Sequence, residues 1–253
     1  MKYIGLNPLK VEGSRFETAY GYSKFVKMKL DKKNYVPVLN SIANNWGVKK
    51  EEDRVRDKVF CSVCEKEGFL DFYSHCKDIE LSGIFIAGYP SIKVGESPWG
   101  PFNGYFLGQV NNYKKMNVFA KWDFKVSGNA NFAFDIWLTK ESKGRLSNEA
   151  AEVMVWIDYN FNLPDKQIGE TKDFIIKYKE KGHNGANRIS FIAKKKNGKT
   201  RFDLAELFTQ CKNKISNIDS YFIRSIEVGV EFSKNTEANA KLFNLNFDFE
   251  TKK

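Results

Sequence analysis

The stretch NEAAEVMVWIDYN, residues 148–160, decides how the rest of the chain is read. Its Val, Ile, Trp and Tyr content is that of a β-strand, in which successive side chains point to opposite faces. One face then carries Glu149, Ala151, Val153, Val155, Ile157 and Tyr159, mostly core material. The other carries Ala150, Glu152, Met154, Trp156 and Asp158, a set unlike either a packed core or an ordinary wet face.

Two further segments share this layout. In NFAFDIWLT, residues 131–139, Phe132, Phe134, Ile136 and Leu138 oppose Asn131, Ala133, Asp135, Trp137 and Thr139. In SIEVGVEFS, residues 225–233, Ile226, Val228, Val230 and Phe232 oppose Ser225, Glu227, Gly229, Glu231 and Ser233. A solvated sheet face is the plain account of the second faces. Yet none of the 41 basic residues falls on them, and Trp137, Met154 and Trp156 would there expose apolar area to water. A concave cleft accounts for acids and tryptophans together.

Strand-like segments are also expected at 83–89, 117–126, 172–178, 188–194 and 241–250, parted by turn clusters such as SGN (127–129), NLPD (162–165) and GHNG (182–185). Residues 58–74 read as strand, turn, strand. One helix is expected, from an N-cap at Asp203 to about Lys212, with Leu204, Leu207, Phe208 and Cys211 at helical spacing. The 253 residues contain no repeat and no Pro/Gly/Ser-rich linker, which points to one domain. The pattern is that of an antiparallel β-sandwich or jelly roll with a single helix.

Composition excludes some classes. Hydrophobic residues at 42% and charged residues at 28% are those of a folded globular chain. No 18-residue apolar run is present, so no membrane-spanning helix is expected. The opening MKYIGLNPLKVEGSRF lacks the apolar centre of a secretory leader. The net charge of +10 fits either an anionic partner or a solvated lysine-rich surface, and the lysines are scattered rather than striped. The densest run, Lys194-Lys195-Lys196, abuts Asn197-Gly198, which reads as an exposed hairpin turn. Cys61, Cys64, His75 and Cys76 raise the question of a zinc site, but a three-residue spacing puts Cys61 and Cys64 on opposite strand faces. A disulfide and buried thiols remain open there.

Two histidines, His75 and His183, supply a triad or metal centre poorly, and G-x-S-x-G, H-E-x-x-H and P-loop motifs are absent. Carboxylates remain: Glu152, Asp135, Glu227 and Glu231. Paired carboxylates beside aromatic platforms suit glycoside hydrolysis, and apolar neighbours raise a carboxyl pKa toward that of a proton donor. Alternation does not say which acids pair.

In order and spacing, NFAFDIWLTKE, EAAEVMVWIDYN and IEVGVEFS resemble the core motifs of glycoside hydrolase family 12, with thermophilic bacterial and archaeal members most similar. NNWG (44–47), AGYPSIKVGESPW (87–99) and RFDLAELF support this. The resemblance implies an all-β jelly roll of two packed antiparallel sheets with a concave substrate cleft and one helix. It implies one catalytic domain over 1–253, of which 1–43 match weakly. It implies a retaining endo-β-1,4-glucanase in which Glu152 is the nucleophile, Glu231 the general acid/base and Asp135 the acid that hydrogen-bonds the nucleophile. Asn44 and Trp46 would hold a sugar, Met154 and Trp156 flank the cleft floor, and Tyr89, Trp99 and Trp137 line the cleft. Val230 and Ser91 depart from the family pattern. Expected partners are β-glucan polymers or oligomers, with no metal, cofactor, nucleic acid or membrane, in a monomer. Xyloglucan or mixed-linkage glucan, a non-catalytic carbohydrate-binding sandwich, and a nucleic-acid-binding β-protein are the alternatives. The resemblance implies an extracellular site of action, and the missing leader leaves a cytoplasmic one open.

Overall fold

The apolar strand faces named above turn inward between two sheets. The computed structural model describes residues 4–5, 26–29, 35–41, 59–66, 69–76, 86, 88–96, 106–143, 149–233 and 235–252, with side chains from residue 86 onward except those of Asn184 and Asn244. One sheet has six strands in the order β1 (Ile4–Gly5), β4 (Val59–Lys66), β5 (Phe69–Cys76), β15 (Glu237–Thr251), β7 (Tyr113–Ser127) and β13 (Lys199–Asp203). The other has nine: β10 (Lys166–Glu170), β11 (Phe174–Lys179), β12 (Asn187–Ala193), β9 (Ala151–Tyr159), β8 (Ala130–Thr139), β14 (Phe222–Phe232), β6 (Ser91–Gly95), β3 (Tyr35–Ser41) and β2 (Val26–Lys29).

Phe132, Phe134, Ile136 and Leu138 of β8 join Val153, Val155 and Ile157 of β9 and Ile226, Val228 and Val230 of β14 in one buried core with Val118, Ala120, Trp122, Leu242 and Phe247 of the six-stranded sheet. Aromatic edges interlock across the gap, with Phe134 and Phe202 at 5.3 Å and nearly perpendicular. Each such side chain removed from water contributes about 1.5–3 kcal/mol. The acid-bearing faces of β8, β9 and β14 therefore lie together on the opposite side of the nine-stranded sheet.

Some expectations are corrected. The sheets are not wholly antiparallel, because β12 pairs with β9 in parallel. The chain leaves β9, makes the β10–β11 pair at the sheet edge and returns between β11 and β9, a crossover that brings it back in the same direction. Strict alternation also fails at the end of β9. Phe132 faces Asp158 while Ala133 faces Trp156, so Ile157 is an extra residue in the ladder. This bulge turns Asp158 inward, where its Oδ2 accepts a hydrogen bond of 2.8 Å from Trp122 Nε1 of the opposing sheet. Tyr159 is left on the acid-bearing side, beside Trp156.

Of the strand expected at 83–89, the described part is irregular apart from a bridge between Gly88 and Phe232, and the strand is Ser91–Gly95 instead. The segment 172–178 begins later, at Phe174, and the strands at 166–170 and 199–203 were not expected. Lys194, Lys195 and Lys196 are exposed as expected. Asn197-Gly198 does not close a hairpin, however, because β12 and β13 belong to different sheets. The side chains of Cys61, Cys64 and Cys76 lie outside the described residues.

Helix α1 (Leu204–Cys211) starts where expected. Asp203 Oδ1 accepts from Ala205 N at 2.9 Å and also from Met116 N at 2.8 Å, so one carboxylate caps the helix and fastens it to β7. Leu204, Leu207, Phe208 and Cys211 are its buried stripe. Replacing Asp203 by Ala removes the acceptor for both N–H groups and should lower stability by about 1–2 kcal/mol, read as a shift in the urea midpoint at unchanged slope.

Candidate active site

Pairing across the nine-stranded sheet sorts the acid-bearing face into rows. One row runs Arg188, Glu152, Trp137, Ser225 over β12, β9, β8 and β14. The next runs Ser190, Met154, Asp135, Glu227, Lys93, ending on β6. A third holds Ile192, Trp156, Ala133, Gly229 and Ser91, and a fourth Tyr159, Asn131 and Glu231. Gly229 is required in the third row: a Cβ there would lie 2.2 Å from Pro90 O. That close approach lets the segment before β6 bond to β14 through Val230 N to Pro90 O, and sets Tyr89 over the face.

The face is dry. Glu152 is 4% exposed, Asp135 8%, Trp156 1% and Trp137 3%. Trp156 and Met154 form a small cluster with Ala133, Leu163 and Ile192, closed by Tyr159, Phe161 and Ile175. The rings of Phe161 and Tyr159 stand 5.0 Å and 6.0 Å from that of Trp156. Trp137 packs with Ala150 and Ala186, has His183 edge-on at 6.3 Å, and donates from Nε1 to Asp135 Oδ2 at 2.9 Å. Tyr89 is buried and donates to Ala133 O at 2.9 Å. These aromatics are thus packed rather than open platforms, and they keep water from the carboxyls.

Dryness raises the carboxyl pKa values, because burial penalises the charged form. Burial lifts Glu152 from 4.5 to about 7; the Arg188 cation opposes this and the Glu231 charge adds to it. Asp135 is held well above its ordinary range by burial and then by the charges of Glu152, Glu227 and Glu231, with the Trp137 hydrogen bond acting the other way. Glu231 is raised by burial, against a 2.5 Å hydrogen bond from Asn131 Nδ2 and the charge of Arg188. His183 is lowered by burial and then by Arg188, which favours its neutral form.

Among the described residues, several polar atoms on this one face have no hydrogen-bond partner: Glu152 Oε2, Asp135 Oδ1, Asn131 Oδ1, Ser190 Oγ and Trp156 Nε1. A buried polar atom left unpaired costs about 1–3 kcal/mol, so a cluster of them on one face suits a hydroxyl-rich ligand. Carboxyls with raised pKa values beside such atoms can hand over a proton and receive a carbon centre.

Of the residues singled out from the sequence, Glu152, Asp135, Glu231, Tyr89, Trp137, Met154 and Trp156 meet on this face. Asn44, Trp46 and Trp99 lie outside the described residues. The cations of the site were missed. Lys93 and Arg188 enter from the neighbouring strands β6 and β12, so the absence of basic residues held for the three strands first compared and not for the sheet. Alternation along 188–194 would have set Arg188, Ser190 and Ile192 on one face, but nothing local in the sequence says which strand lies beside them.

Glu227 is structural. Lys93 Nζ contacts its Oε1 at 2.9 Å with both side chains almost fully buried, and the hydroxyls of Ser91 and Ser225 each donate to it at 3.3 Å. Lys93→Met leaves that charge unpaired and should cost about 3–5 kcal/mol, whereas Lys93→Met with Glu227→Leu should recover most of the loss in the same denaturation assay.

A two-layer jelly roll that dries several carboxyls on one sheet face has the build of a glycoside hydrolase. The family model described as Glycosyl hydrolase family 12 matches residues 103–250, more than half of the chain, and the chain belongs to that family. Endoglucanase cel12A from Rhodothermus marinus superposes with a TM-score of 0.66 at 15% identity, covering 90% of this chain and 97% of that one. A family 12 xyloglucanase from Bacillus licheniformis gives 0.64 at 16% identity, covering 90% and 98%. Endoglucanase 3 from Trichoderma harzianum gives 0.65 at 12% identity, covering 94% and 100%. These likenesses carry the β-jelly-roll fold. No curated protein matches the sequence.

Proposed function

We propose that the protein is a retaining endo-β-1,4-glucanase that cleaves internal bonds of β-glucans with Glu152 as nucleophile and Glu231 as general acid/base. The observation that carries this reading is the set of polar atoms without partners among the described residues, around a buried Glu152 that feels the charge of the half-buried Glu231. Glu152 attacks the anomeric carbon as Glu231 gives its proton to the departing sugar oxygen, leaving a glycosyl ester on Glu152. Glu231 then takes a proton from water as that water attacks the same carbon, and Glu152 leaves as carboxylate. Burial and the neighbouring carboxylates raise Asp135 well above its ordinary range, which favours a protonated form that would donate to the Glu152 carboxylate on this reading. A xyloglucan preference is the second reading, favoured by the fold shared with the family 12 xyloglucanase.

Reducing-sugar release should be measured over soluble β-1,4-glucan, mixed-linkage glucan and xyloglucan. Glu152→Gln should lower kcat by at least about 10⁴-fold while oligosaccharide binding persists, as for loss of a nucleophile. Fresh product followed by proton NMR should show the β-anomer first. The α-anomer appearing first would overturn retention, and a wild type that binds glucan without turnover would make the protein a carbohydrate-binding sandwich.

A further inference from the structure

Glu152 has a cation beside it whose direction is fixed by a third residue. Parallel pairing sets Arg188 level with Glu152. The Nε and Nη2 edge of its guanidinium is committed to Asp165, with contacts of 3.1, 3.0 and 2.9 Å. A guanidinium is planar and rigid, so holding one edge aims the remaining nitrogen. That nitrogen, Nη1, lies 3.9 Å from Glu152 Oε2, the oxygen without a hydrogen-bond partner. The Asp165 side chain is itself almost wholly buried. It belongs to the turn that leaves β9, so one arginine ties the strand carrying Glu152 to the turn that follows it. Gly182 covers the pair closely: a Cβ there would stand 3.4 Å from Arg188 Cβ and 3.9 Å from Glu152 Oε2.

Granted the reading of Glu152 as nucleophile, we propose that Arg188, clamped by Asp165, is a positioning residue whose Nη1 orients the Glu152 carboxylate and keeps it ionised for attack. The groups acting on Glu152 from the surrounding elements are mostly acidic: Asp135 on β8, Glu231 on β14, and Asp165, while Glu227 on β14 acts on Asp135. Tyr89, held over the face before β6, stays neutral. Lys93 is engaged with Glu227. His183 is held neutral, and Lys179, level with Arg188 on β11, favours the anion from further away. Among the described residues no other cation stands within ion-pair distance of Glu152.

The test uses the full chain and two readouts. In kcat/KM against pH on soluble β-glucan, Arg188→Met should move the acidic limb up by about one unit or more, the effect of losing an adjacent opposite charge, with about tenfold less activity below the limb. Asp165→Asn should move it down, because the Asp165 charge raises Glu152. Arg188→Lys should leave the limb in place while kcat falls, separating charge from aim. A carbon-13 titration of the Glu152 carboxyl, assigned by its absence in Glu152→Gln, should shift in the same directions whether or not the protein turns over glucan. Equal losses at all pH values and an unmoved titration would make Arg188 merely structural and overturn the proposal. Shifts as expected without wild-type turnover would overturn only the hydrolase reading. If Arg188→Met does not fold, Arg188→Lys decides: a fall in kcat with the limb in place supports the aim, and an unchanged kcat overturns it.

Discussion

Too many acids for the available cations, in too little water, is the constraint around which this molecule is arranged. Among the described residues the acid-bearing face and its rim hold Asp135, Glu152, Asp165, Glu227 and Glu231 against Lys93 and Arg188 in direct contact. An uncompensated buried carboxylate is costly, so each acid must find a cation, find donors or keep its proton. The three solutions are all present. Glu227 has Lys93 and two hydroxyl donors, Asp165 has a fork of Arg188, and Asp135 has neither cation nor full donor set and is pushed well above its ordinary range. Glu152 and Glu231 fall between these cases, which leaves them able to exchange a proton with a ligand.

Such a face can exist only because the other side of the same strands stabilises the fold. Apart from a bulge in β9 and another in β14, alternate residues of β8, β9 and β14 contribute to the large inter-sheet core, and the polar atoms without partners among the described residues on the reverse are set against that gain. The aromatics between the acids serve the same arrangement. Trp156, Trp137 and Tyr89 fill the space between carboxyls, with Trp137 bonded to Asp135 and Tyr89 to Ala133 O, so the field between the charges acts through protein rather than solvent.

What the sequence revealed follows from which interactions are local. The pleat is local, so alternation placed Glu152 with Met154 and Trp156, and Asp135 with Trp137, on the correct faces. Helix capping is local, so Asp203 could be read as an N-cap. Register and neighbour choice are not. Ile157 is an extra residue only relative to β8, and without β8 there is no reason to turn Asp158 inward and Tyr159 outward. The pairing of β12 with β9 joins residues brought together by a crossover, so Arg188 shows in the sequence as a strand arginine without an acid beside it. Lys93 stands just past the strand expected at 83–89, where a loop lysine is unremarkable in a chain with 41 basic residues. Asp165 reads as a turn residue in NLPD because its buried partner lies on another strand.

The order of protonation links these pieces to the chemistry. A retaining pair needs the attacking carboxyl ionised and the other protonated. Burial alone works against that division, since it lifts Glu152 to about 7. The charge of Glu231 raises Glu152, so a proton held on Glu231 favours the anion on Glu152. Asn131 donates to Glu231 and so favours its anion. A sugar oxygen arriving beside Glu231 would favour the protonated form instead, leaving Arg188 to hold the charge on Glu152. In the proposed mechanism, Arg188 does not create the reactive carboxylate by itself; it favours the anion of both glutamates and would leave the proton to be held on Glu231 by the sugar oxygen once substrate is bound. The Asp165 clamp matters for that reason, because a freely moving arginine would lie between both carboxyls and distinguish neither.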